Sequence, residues 1–409
     1  MPTEPIAEAS STRDTLTMAA ARGGYTTPAP VQAMWREAPV RQFTTESGRL
    51  AWLVTGMREV RAVLSDPRFS RAEARRLGAV IGPAAIFKNP GINDLDPPEH
   101  TRLRRLVSGA FSARRMRALR PRIQRMTDEL IASMIATGPP ADLASDLCYQ
   151  VPISVICEIL GVPDEDLERF RGWAERVTST GAYPPEEAVA ALRAMVAYMA
   201  GLVDAKRRDP DESLLHDLIT AHDEQDRLSE DELVTLGCGL LLAGNESTAT
   251  MLSKGLVALL ANPDQLAALR ADPSLIPAAV EEILRFSTLG VRPYSGHLRG
   301  TTSDVNLGGV TIPAHSVVYA CLPAANLDPA AFPAPERLDV TRTGAVGHVA
   351  FGHGIHHCLG AQLARMELEV VIGSTLAAFP GLRLAVPVDD IPYKDGFLIT
   401  GVRALPATW

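Results

Sequence analysis

The chain has 409 residues, of which 46% are hydrophobic and 22% are charged, and its formal net charge is −8 at pH 7. This composition is typical of a globular protein and argues against a disordered chain or one that binds nucleic acid through its bulk charge. The five cysteines are odd in number and widely spaced. We therefore expect no disulfide framework and a reducing, cytoplasmic environment.

The N-terminal segment 1–28 is rich in Ala, Thr, Ser and Pro, which predicts a flexible lead-in without the apolar core of a signal peptide. We find no uninterrupted run of about 18 apolar residues, so we expect no membrane anchor. Neither a repeat nor a composition shift marks a linker, and we predict one domain over residues 29–409. Its first predicted elements are a helix at 31–37, hairpin strands at 40–44 and 50–55, and an amphipathic helix at 57–66.

Residues 71–98 contain several glycines and prolines that interrupt any hydrophobic period. Long ordered loops are often functional. Their apolar members, including Ile86 and Phe87, are candidates for facing a substrate. A packed surface loop explains the same residues equally well.

Residues 96–104 predict the start of a helix, with prolines and Glu99 near its first turn. His100 and Arg104 are four residues apart and share one face of that helix. A histidine and an arginine on one face can together bind a carboxylate. Taken alone, two solvated residues on a basic helix are an equally ordinary explanation.

Nine arginines and no acidic residue lie between positions 102 and 125. In an acidic protein this local charge suggests a docking surface for an acidic partner. A solvated helix face is the usual explanation of such a run. Nucleic acid is a remote third interpretation, because Phe111 is the one aromatic residue interleaved with the arginines.

A series of helices is predicted between residues 123 and 225, separated by glycine and proline breaks. The predicted bounds are 123–137, 141–160, 163–179, 184–207 and 213–223.

Residues 228–260 form the longest helical pattern, and Ser229 with Glu232 is a capping-box match at its start. Its middle contains Gly237, Gly239 and Gly244, although each glycine costs a helix about 1 kcal/mol relative to alanine. We expect the bare backbone to accommodate a flat cofactor or a ligand seated above it.

Glu246 and Ser247 place an acid beside a hydroxyl next to Gly244, followed by the hydroxyl of Thr248. Such a pair is a plausible proton route. A polar patch on a core helix is the alternative.

Residues 276–286 predict a helix on which Glu282 and Arg285 pair along one face. Residues 287–299 predict an irregular strand, where Leu289 and Val291 are candidates for lining a pocket. The tail at 395–401 predicts a final hairpin, with Phe397 and Leu398 as candidates for touching a substrate.

Cys358 follows a glycine-loosened loop and precedes apolar residues at helical spacing. A helix N-terminus favours a thiolate, which is a good ligand for a soft or borderline metal. Three interpretations compete: a small buried core cysteine, a Cys/His zinc site with the nearby histidines, and a haem-thiolate centre. Zinc is weakened because no second cysteine pair is near and four ligands within six residues can hardly form a tetrahedron.

The cysteine loop resembles the signature of the cytochrome P-450 family at six fixed positions, namely Phe351, Gly352, Gly354, His356, Cys358 and Gly360. The stretch Ala243-Gly244-Asn245-Glu246-Ser247 is similar to the family's oxygen-activating helix, Ala-Gly-x-(Asp/Glu)-Thr, with serine where the pattern has threonine. Asp96-Pro97-Pro98-Glu99-His100 and the Glu282-x-x-Arg285 pair also resemble family motifs. The matches run from residue 96 to 401, in the family's order.

The resemblance implies a mainly α fold with a small β region (α+β), and haem b buried between the 229–260 helix and the Cys358 helix. It implies that Cys358 ligates iron and that Glu246 with Ser247 or Thr248 relays protons to dioxygen. It further implies that His100, Arg104, Arg299 and His356 hold the haem propionates, and that Ala243, Gly244, Phe351 and Gly360 border the haem. Glu282, Arg285 and a later arginine, for which Arg342 is the candidate, would lock the scaffold.

The implied activity is that of a monooxygenase acting on a hydrophobic small molecule and O2, such as a secondary-metabolite intermediate. Electrons would come from a ferredoxin and its NAD(P)H-dependent reductase, with the ferredoxin docking on the arginine-rich 102–125 face. Two alternatives stay open. One is a haem-thiolate peroxygenase or isomerase, and the other is a non-catalytic helper with the same fold.

Overall fold

The computed structural model describes residues 24–27, 29–45, 48–79, 90–109, 111–223, 228–290 and 297–409. Helices dominate these residues, and the predicted mainly α fold with a small β region is confirmed. The helices are α1 Ala29–Arg36, α2 Met57–Ser65, α3 Arg71–Arg76, α4 Glu99–Ser108, α5 Ala113–Thr137, α6 Gln150–Leu160, α7 Leu167–Val177, α8 Pro185–Arg208, α9 Leu214–Asp223, α10 Glu230–Leu260, α11 Pro263–Ala271, α12 Ile276–Phe286, α13 Leu322–Asn326 and α14 Ala361–Ala378.

The strands form three small sheets. They are β1 Val40–Thr44, β2 Leu50–Val54, β3 Phe69–Ser70, β4 Ala141–Asp142, β5 His297–Thr301, β6 Val305–Leu307, β7 Val310–Ile312, β8 Val317–Ala320, β9 Arg383–Leu384 and β10 Pro406–Thr408. The largest sheet has the order β1-β2-β8-β5-β3, in which the predicted hairpin β1–β2 pairs antiparallel and β2 pairs parallel with β8. The other two sheets have the orders β4-β10-β9 and β6-β7.

Helix α10 runs between two hydrophobic cores. Its N-terminal half, with Cys238 and Leu241, packs with α6 to α9. Its C-terminal half, with Leu252 and Leu256, packs with α5, α12 and α14. The predicted capping box is present, because Ser229 Oγ accepts from the Glu232 amide at 3.2 Å and the Glu232 side chain accepts from the Ser229 amide at 2.9 Å. The long central helix thus holds the two cores together.

Several predicted bounds are wrong. The helix predicted at 123–137 begins at Ala113 and passes through Pro121. Pro121 and Arg117 are both exposed, so solvent can satisfy the Arg117 carbonyl that loses its hydrogen bond. The segment predicted as a helix at 141–160 starts instead with β4 and a π-turn, Ala144–Cys148, because Leu143 and Leu405 pair at the edge of a sheet.

The C-terminal tail is not a regular hairpin. One bridge between Tyr393 and Val402 closes a turn, and a second bridge joins Ser179 to Phe397. The Gly396 carbonyl accepts from the Thr180 amide at 2.7 Å. The tail therefore pairs across its base, where the Lys394 amide donates to the Gly401 carbonyl at 2.8 Å, while the tip of the turn packs on the connection between α7 and α8.

Candidate active site

The cysteine loop is shaped by two glycines with positive φ. Gly352 has φ 74° and Gly354 has φ 71°, a region that L side chains rarely occupy. A side chain at Gly354 would also collide with the carbonyl of Leu64 at the end of α2. The loop turns back so that the Cys358 amide donates to the Phe351 carbonyl at 2.9 Å. The backbone around Cys358 is therefore fixed by the loop itself.

The Cys358 thiol is accessible although protein surrounds it on most sides. Burial raises the pKa of Cys358, while a hydrogen bond from the Gly360 amide and the charges of Arg104 and Arg365 act in the opposite direction. Helix α14 begins at Ala361, and the amide of its N-cap residue, Gly360, donates the hydrogen bond that favours the thiolate. The expected influence of the helix N-terminus is therefore present, although burial outweighs it in the thiol without a bound metal.

Two buried side chains, His100 and Arg299, and the half-buried His356 converge near this loop. The rings of His100 and His356 lie 4.2 Å apart, and Arg299 is 2% exposed. His100 Nδ1, His356 Nε2 and Arg299 Nη2 are buried, and none has a hydrogen-bond partner within the described part of the chain. Because buried polar atoms are rarely left unpaired, these three together indicate a place for an anionic group.

Sequence reasoning missed two members of this cluster, Arg71 and His297. Burial lowers the pKa of His297 to about 3, and Arg299 and Arg71 act in the same direction. Burial also lowers the pKa of Arg299 to about 9, with Arg71 adding to the effect and Asp96 opposing it. The pKa of His356 falls to about 2 through burial and then through Arg299. An anionic ligand would offset this repulsion between like charges.

Arg104 lies on the same face of α4 as His100 but contacts the cysteine loop. Its Nη2 donates to the His357 carbonyl at 2.5 Å. This contact occupies one of its donors, and its role in binding a carboxylate stays a prediction.

Gly239, Ala243 and Ser247 recur four residues apart and form a strip along one face of α10. Gly239 and Ala243 are exposed, and a Cβ atom at Gly239 would meet nothing within 4 Å. By contrast, every residue from Thr248 to Leu259 is buried. An uncovered strip on a largely buried helix leaves room for a ligand.

Gly237 and Gly244 are bare for a different reason. A Cβ atom at Gly244 would lie 2.9 Å from the Ile156 side chain of α6, and one at Gly237 would lie 2.7 Å from the Met199 sulfur of α8. The missing side chain at Gly244 therefore lets α6 pack against α10. The packing of Ile156 is thus a reason of its own for a glycine at this position, and the contact of Gly244 with a cofactor stays a prediction.

Glu246 and Ser247 have different partners. Ser247 Oγ donates to the Ala243 carbonyl at 2.7 Å. Glu246 Oε1 lies 3.0 Å from Lys394 Nζ in the C-terminal tail, and that ammonium also lies 4.1 Å from the centroid of the Tyr149 ring. The acid of the predicted proton route is thus ion-paired, and no sequence signal pointed to Lys394.

The predicted substrate-facing residues differ in exposure. Leu289 is half-buried, and its carbonyl accepts from the Thr400 amide at 2.9 Å. Phe397 is 8% exposed and its ring lies 6.1 Å from that of Tyr183, whereas Leu398 is 37% exposed. Their substrate contacts stay predictions. Three further candidates lie outside the described residues: Ile86, Phe87 and Val291.

Glu282 lies between the two arginines that the sequence placed near it. Its oxygens accept from Arg285 Nε and Nη2 at 2.7 Å each. Arg342 Nε lies 3.1 and 3.0 Å from the same two oxygens. Glu282 is 0% exposed and Arg285 1%. The three residues form one buried network of ion pairs, and we interpret this network as part of the structural scaffold.

The arginine-rich segment is partly neutralised by the chain itself. Four of its members form ion pairs: Arg102 with Glu232, Arg115 with Asp217, Arg120 with Glu369, and Arg122 with Glu158. Arg105, Arg114 and Arg117 are exposed, and no ion pair engages them within the described ranges.

Comparison with known proteins identifies the family. A family model for cytochrome P-450 matches residues 186–400. Nocardicin C N-oxygenase from Nocardia uniformis subsp. tsuyamanensis is 44% identical over 93% of this chain and 94% of its own length. Mycinamicin IV hydroxylase/epoxidase from Micromonospora griseorubida is 44% identical over 91% of this chain and 92% of its own. The chain belongs to the cytochrome P-450 family.

The fold agrees with solved cytochrome P-450 structures. The crystal structure of the cytochrome P-450 hydroxylase from the leinamycin biosynthetic pathway of Streptomyces atroolivaceus S-140 is 45% identical. It matches with a TM-score of 0.87 and covers 97% of this chain and 100% of that one. The recognition made from the sequence motifs is confirmed, and the protein is a cytochrome P-450 monooxygenase that binds haem.

The residues present fit that haem. Buried donors without partners suit its carboxylates, the accessible Cys358 thiol suits its iron, and the uncovered strip on α10 suits its flat face.

Among the described helices, only α8 of this cytochrome P-450 is long and apolar enough to cross a membrane. Length and composition are weak evidence, and Met195 and Met199 of α8 are buried in the core that α8 shares with α10.

Proposed function

We propose that this protein is a cytoplasmic haem b monooxygenase that inserts one oxygen atom from O2 into a hydrophobic secondary-metabolite intermediate. The observation that carries the proposal is the Cys358 thiol in a fixed loop, close to three buried donors without partners. The names of the relatives, an N-oxygenase of nocardicin C and a hydroxylase/epoxidase of mycinamicin IV, support an antibiotic-like substrate. Polyketide, terpene, steroid and peptide intermediates are all of suitable chemistry.

Haem bound through a thiolate supplies the activation of dioxygen. The chain holds and orients that group: His100, Arg299 and His356 place donors for its carboxylates. On α10, Ser247 Oγ lies on the uncovered strip and can pass a proton, for which Glu246 is the nearby acid. Thr248 is 6% exposed and faces the packed part of the helix, so we assign the hydroxyl role to Ser247.

We propose a ferredoxin as the electron donor, docking on the 102–125 face. Support comes from Arg105, Arg114 and Arg117, which are exposed and engaged by no ion pair within the described ranges. Ile355 is 51% exposed in the cysteine loop and adds an apolar contact. An acidic ferredoxin would complement this surface, and added salt would slow its association.

The first test is spectroscopic. The purified holoprotein, reduced and treated with carbon monoxide, is expected to give the red-shifted Soret band of thiolate coordination, and Cys358→Ala to lose it. A protein without this band, or a Cys358→Ala variant of unchanged activity, would contradict the proposal.

The second test addresses substrate and partner. A panel of hydrophobic metabolites is screened for a substrate-induced spin shift, followed by turnover with ferredoxin, reductase and NADPH. Isotope from ¹⁸O2 is expected in the product. Turnover with peroxide alone, or a rearranged product without added oxygen, would instead favour the peroxygenase or isomerase.

A further inference from the structure

Glu281, next to the scaffold residue Glu282, forms a second and separate cluster behind the cysteine loop. Arg365 of α14 binds it through two nitrogens, with Nε–Oε1 at 2.5 Å and Nη2–Oε2 at 3.1 Å. His348 Nε2 lies 3.2 Å from Glu281 Oε2. The pKa of Glu281 would be raised by burial, but His348 and Arg365 lower it to about 2. Glu281 is therefore a carboxylate at neutral pH.

Arg365 connects this cluster to the cysteine loop. Its guanidinium carbon lies 4.6 Å from the centroid of the Phe351 ring, in the geometry of a cation–π contact. The Phe351 carbonyl in turn accepts the hydrogen bond of the Cys358 amide at 2.9 Å. His348 is tied to the same loop, because its Nδ1 accepts from the Ala350 amide at 3.1 Å.

Packing alone does not hold Arg365 in this place. A hollow of about 360 Å³ borders the Glu281–Arg365 pair, and the Arg365 side chain is 27% exposed. The side chain thus has room to turn outward. A bidentate carboxylate fixes both the position and the plane of a guanidinium. Glu281 therefore determines the position of the Arg365 positive charge.

We propose that Glu281 and Arg365 are positioning residues for the thiolate ligand: Glu281, assisted by His348, holds the Arg365 guanidinium over Phe351, where its charge stabilises the reduced haem-thiolate centre. The inference rests on the proposed function, since it concerns Cys358 as the ligand to iron. We assign neither residue a contact with the substrate. Their effect is electrostatic and reaches the sulfur through a fixed loop.

The test is the reduction potential of the substrate-free holoprotein, measured by spectroelectrochemical titration without ferredoxin. Arg365→Gln removes a positive charge and is expected to shift the potential to more negative values. The expected result for Glu281→Gln is diagnostic. If Glu281→Gln only removed a negative charge, the potential would shift to more positive values. If it also releases the Arg365 guanidinium into the hollow, away from the thiolate, the potential shifts to more negative values.

We expect Glu281→Gln to shift the potential negative, and the double variant to shift it no further than Arg365→Gln. Glu369→Gln is the matched control. It removes the same charge from a partly exposed ion pair between Glu369 of α14 and Arg120 of α5. It is expected to shift the potential slightly positive, and its effect should add to that of Arg365→Gln. Conversion of the carbon-monoxide complex from the thiolate to the thiol form, followed by its Soret band, should be faster in Glu281→Gln and Arg365→Gln than in Glu369→Gln.

The inference is overturned if Arg365→Gln keeps the potential of the parent protein, or if Glu281→Gln shifts it positive and adds to Arg365→Gln. Should Arg365→Gln fail to retain haem, Arg365→Lys and Glu281→Gln decide. Lysine keeps the charge without the bidentate geometry, so a potential between parent and Glu281→Gln supports the inference and a parent-like value overturns it. A parent protein that lacks the thiolate Soret band would refute the proposed function, which separates the two failures.

Discussion

Lys394 Nζ lies 3.0 Å from Oε1 of Glu246, although the two residues are 148 positions apart. Both side chains are largely buried, with 14% and 12% exposure. The ion pair joins the middle of α10 to the C-terminal tail, close to the strip where we place the haem. A surface turn and the proposed proton route are therefore physically linked.

Replacing Lys394 with Met would leave the Glu246 carboxylate buried without its counter-charge. We expect a loss of about 1–3 kcal/mol in the free energy of unfolding, because an unpaired buried charge costs more than a lost surface contact. Urea denaturation of the holoprotein measures this. Arg115→Met, which breaks the exposed pair with Asp217, is the control and should cost less than about 1 kcal/mol. Equal costs for both variants would show that the Lys394–Glu246 pair stabilises the fold no more than an exposed ion pair does.

Replacing Ser247 with Ala is expected to lower the rate of product formation by about 10²-fold if its hydroxyl passes the proton. The amount of product formed per NADPH consumed should fall as well. Thr248→Val, which keeps the shape of a buried side chain, should leave the coupling nearly unchanged. Product and hydrogen peroxide are quantified together for a ligand found in the spin-shift screen. If Thr248→Val uncouples the reaction and Ser247→Ala does not, the roles of the two hydroxyls are reversed.

Replacing Arg299 or Arg71 with Met is expected to weaken haem retention by about 10- to 100-fold, the worth of one charge-assisted hydrogen bond. Both residues belong to the cluster in which Arg299 Nη2 has no partner among the described residues. Haem transfer to excess apomyoglobin gives the rate. Arg68→Met is the control, because Arg68 pairs with Asp66 on the surface. Transfer rates equal to those of the parent would place the haem carboxylates elsewhere.

Glu367 of α14 is 2% exposed, and its Oε2 has no hydrogen-bond partner within the described part of the chain. Burial raises the pKa of Glu367 to about 8. Between about pH 5 and pH 8 the Glu367 carboxyl is protonated in the folded protein, whereas in the unfolded chain, with its ordinary pKa of about 4.3, it is ionised. The free energy of unfolding therefore falls as the pH rises through this range. We expect this group to contribute a loss of about 3–5 kcal/mol over that range.

Glu367→Gln should remove most of that loss and be more stable than the parent at pH 8 but not at pH 5. Urea unfolding of the holoprotein at both values measures the difference. Glu369→Gln, on the same helix but partly exposed, should keep the pH dependence of the parent. An unchanged slope in Glu367→Gln would mean that the carboxyl is ionised throughout.

The sequence alone was informative where function depends on neighbouring positions. The cysteine loop, with Gly352 and Gly354 before Cys358, is a local motif whose backbone angles depend on those two glycines. Ser229 with Glu232 predicted the start of α10, because a capping box involves one turn. His100, Arg299 and His356 could be named in advance only through the family resemblance, since nothing local brings 100, 299 and 356 together.

Tertiary structure decided the partners. It showed that Gly244 is bare to admit Ile156 of α6, and that Glu246 is held by Lys394. It also placed Glu281, Arg365 and His348 in one cluster, although no spacing in the sequence relates 281 to 365.

Turns and helix ends depend on backbone angles and capping hydrogen bonds, which are determined by residues close together in the sequence. The membership of this protein in a haem-thiolate family could therefore be predicted from the cysteine loop and from the sequence of α10. The electrostatic surroundings of Cys358 arise from charges distant in the chain. They are fixed only when α10, α12 and α14 pack, because burial and proximity do not exist before folding.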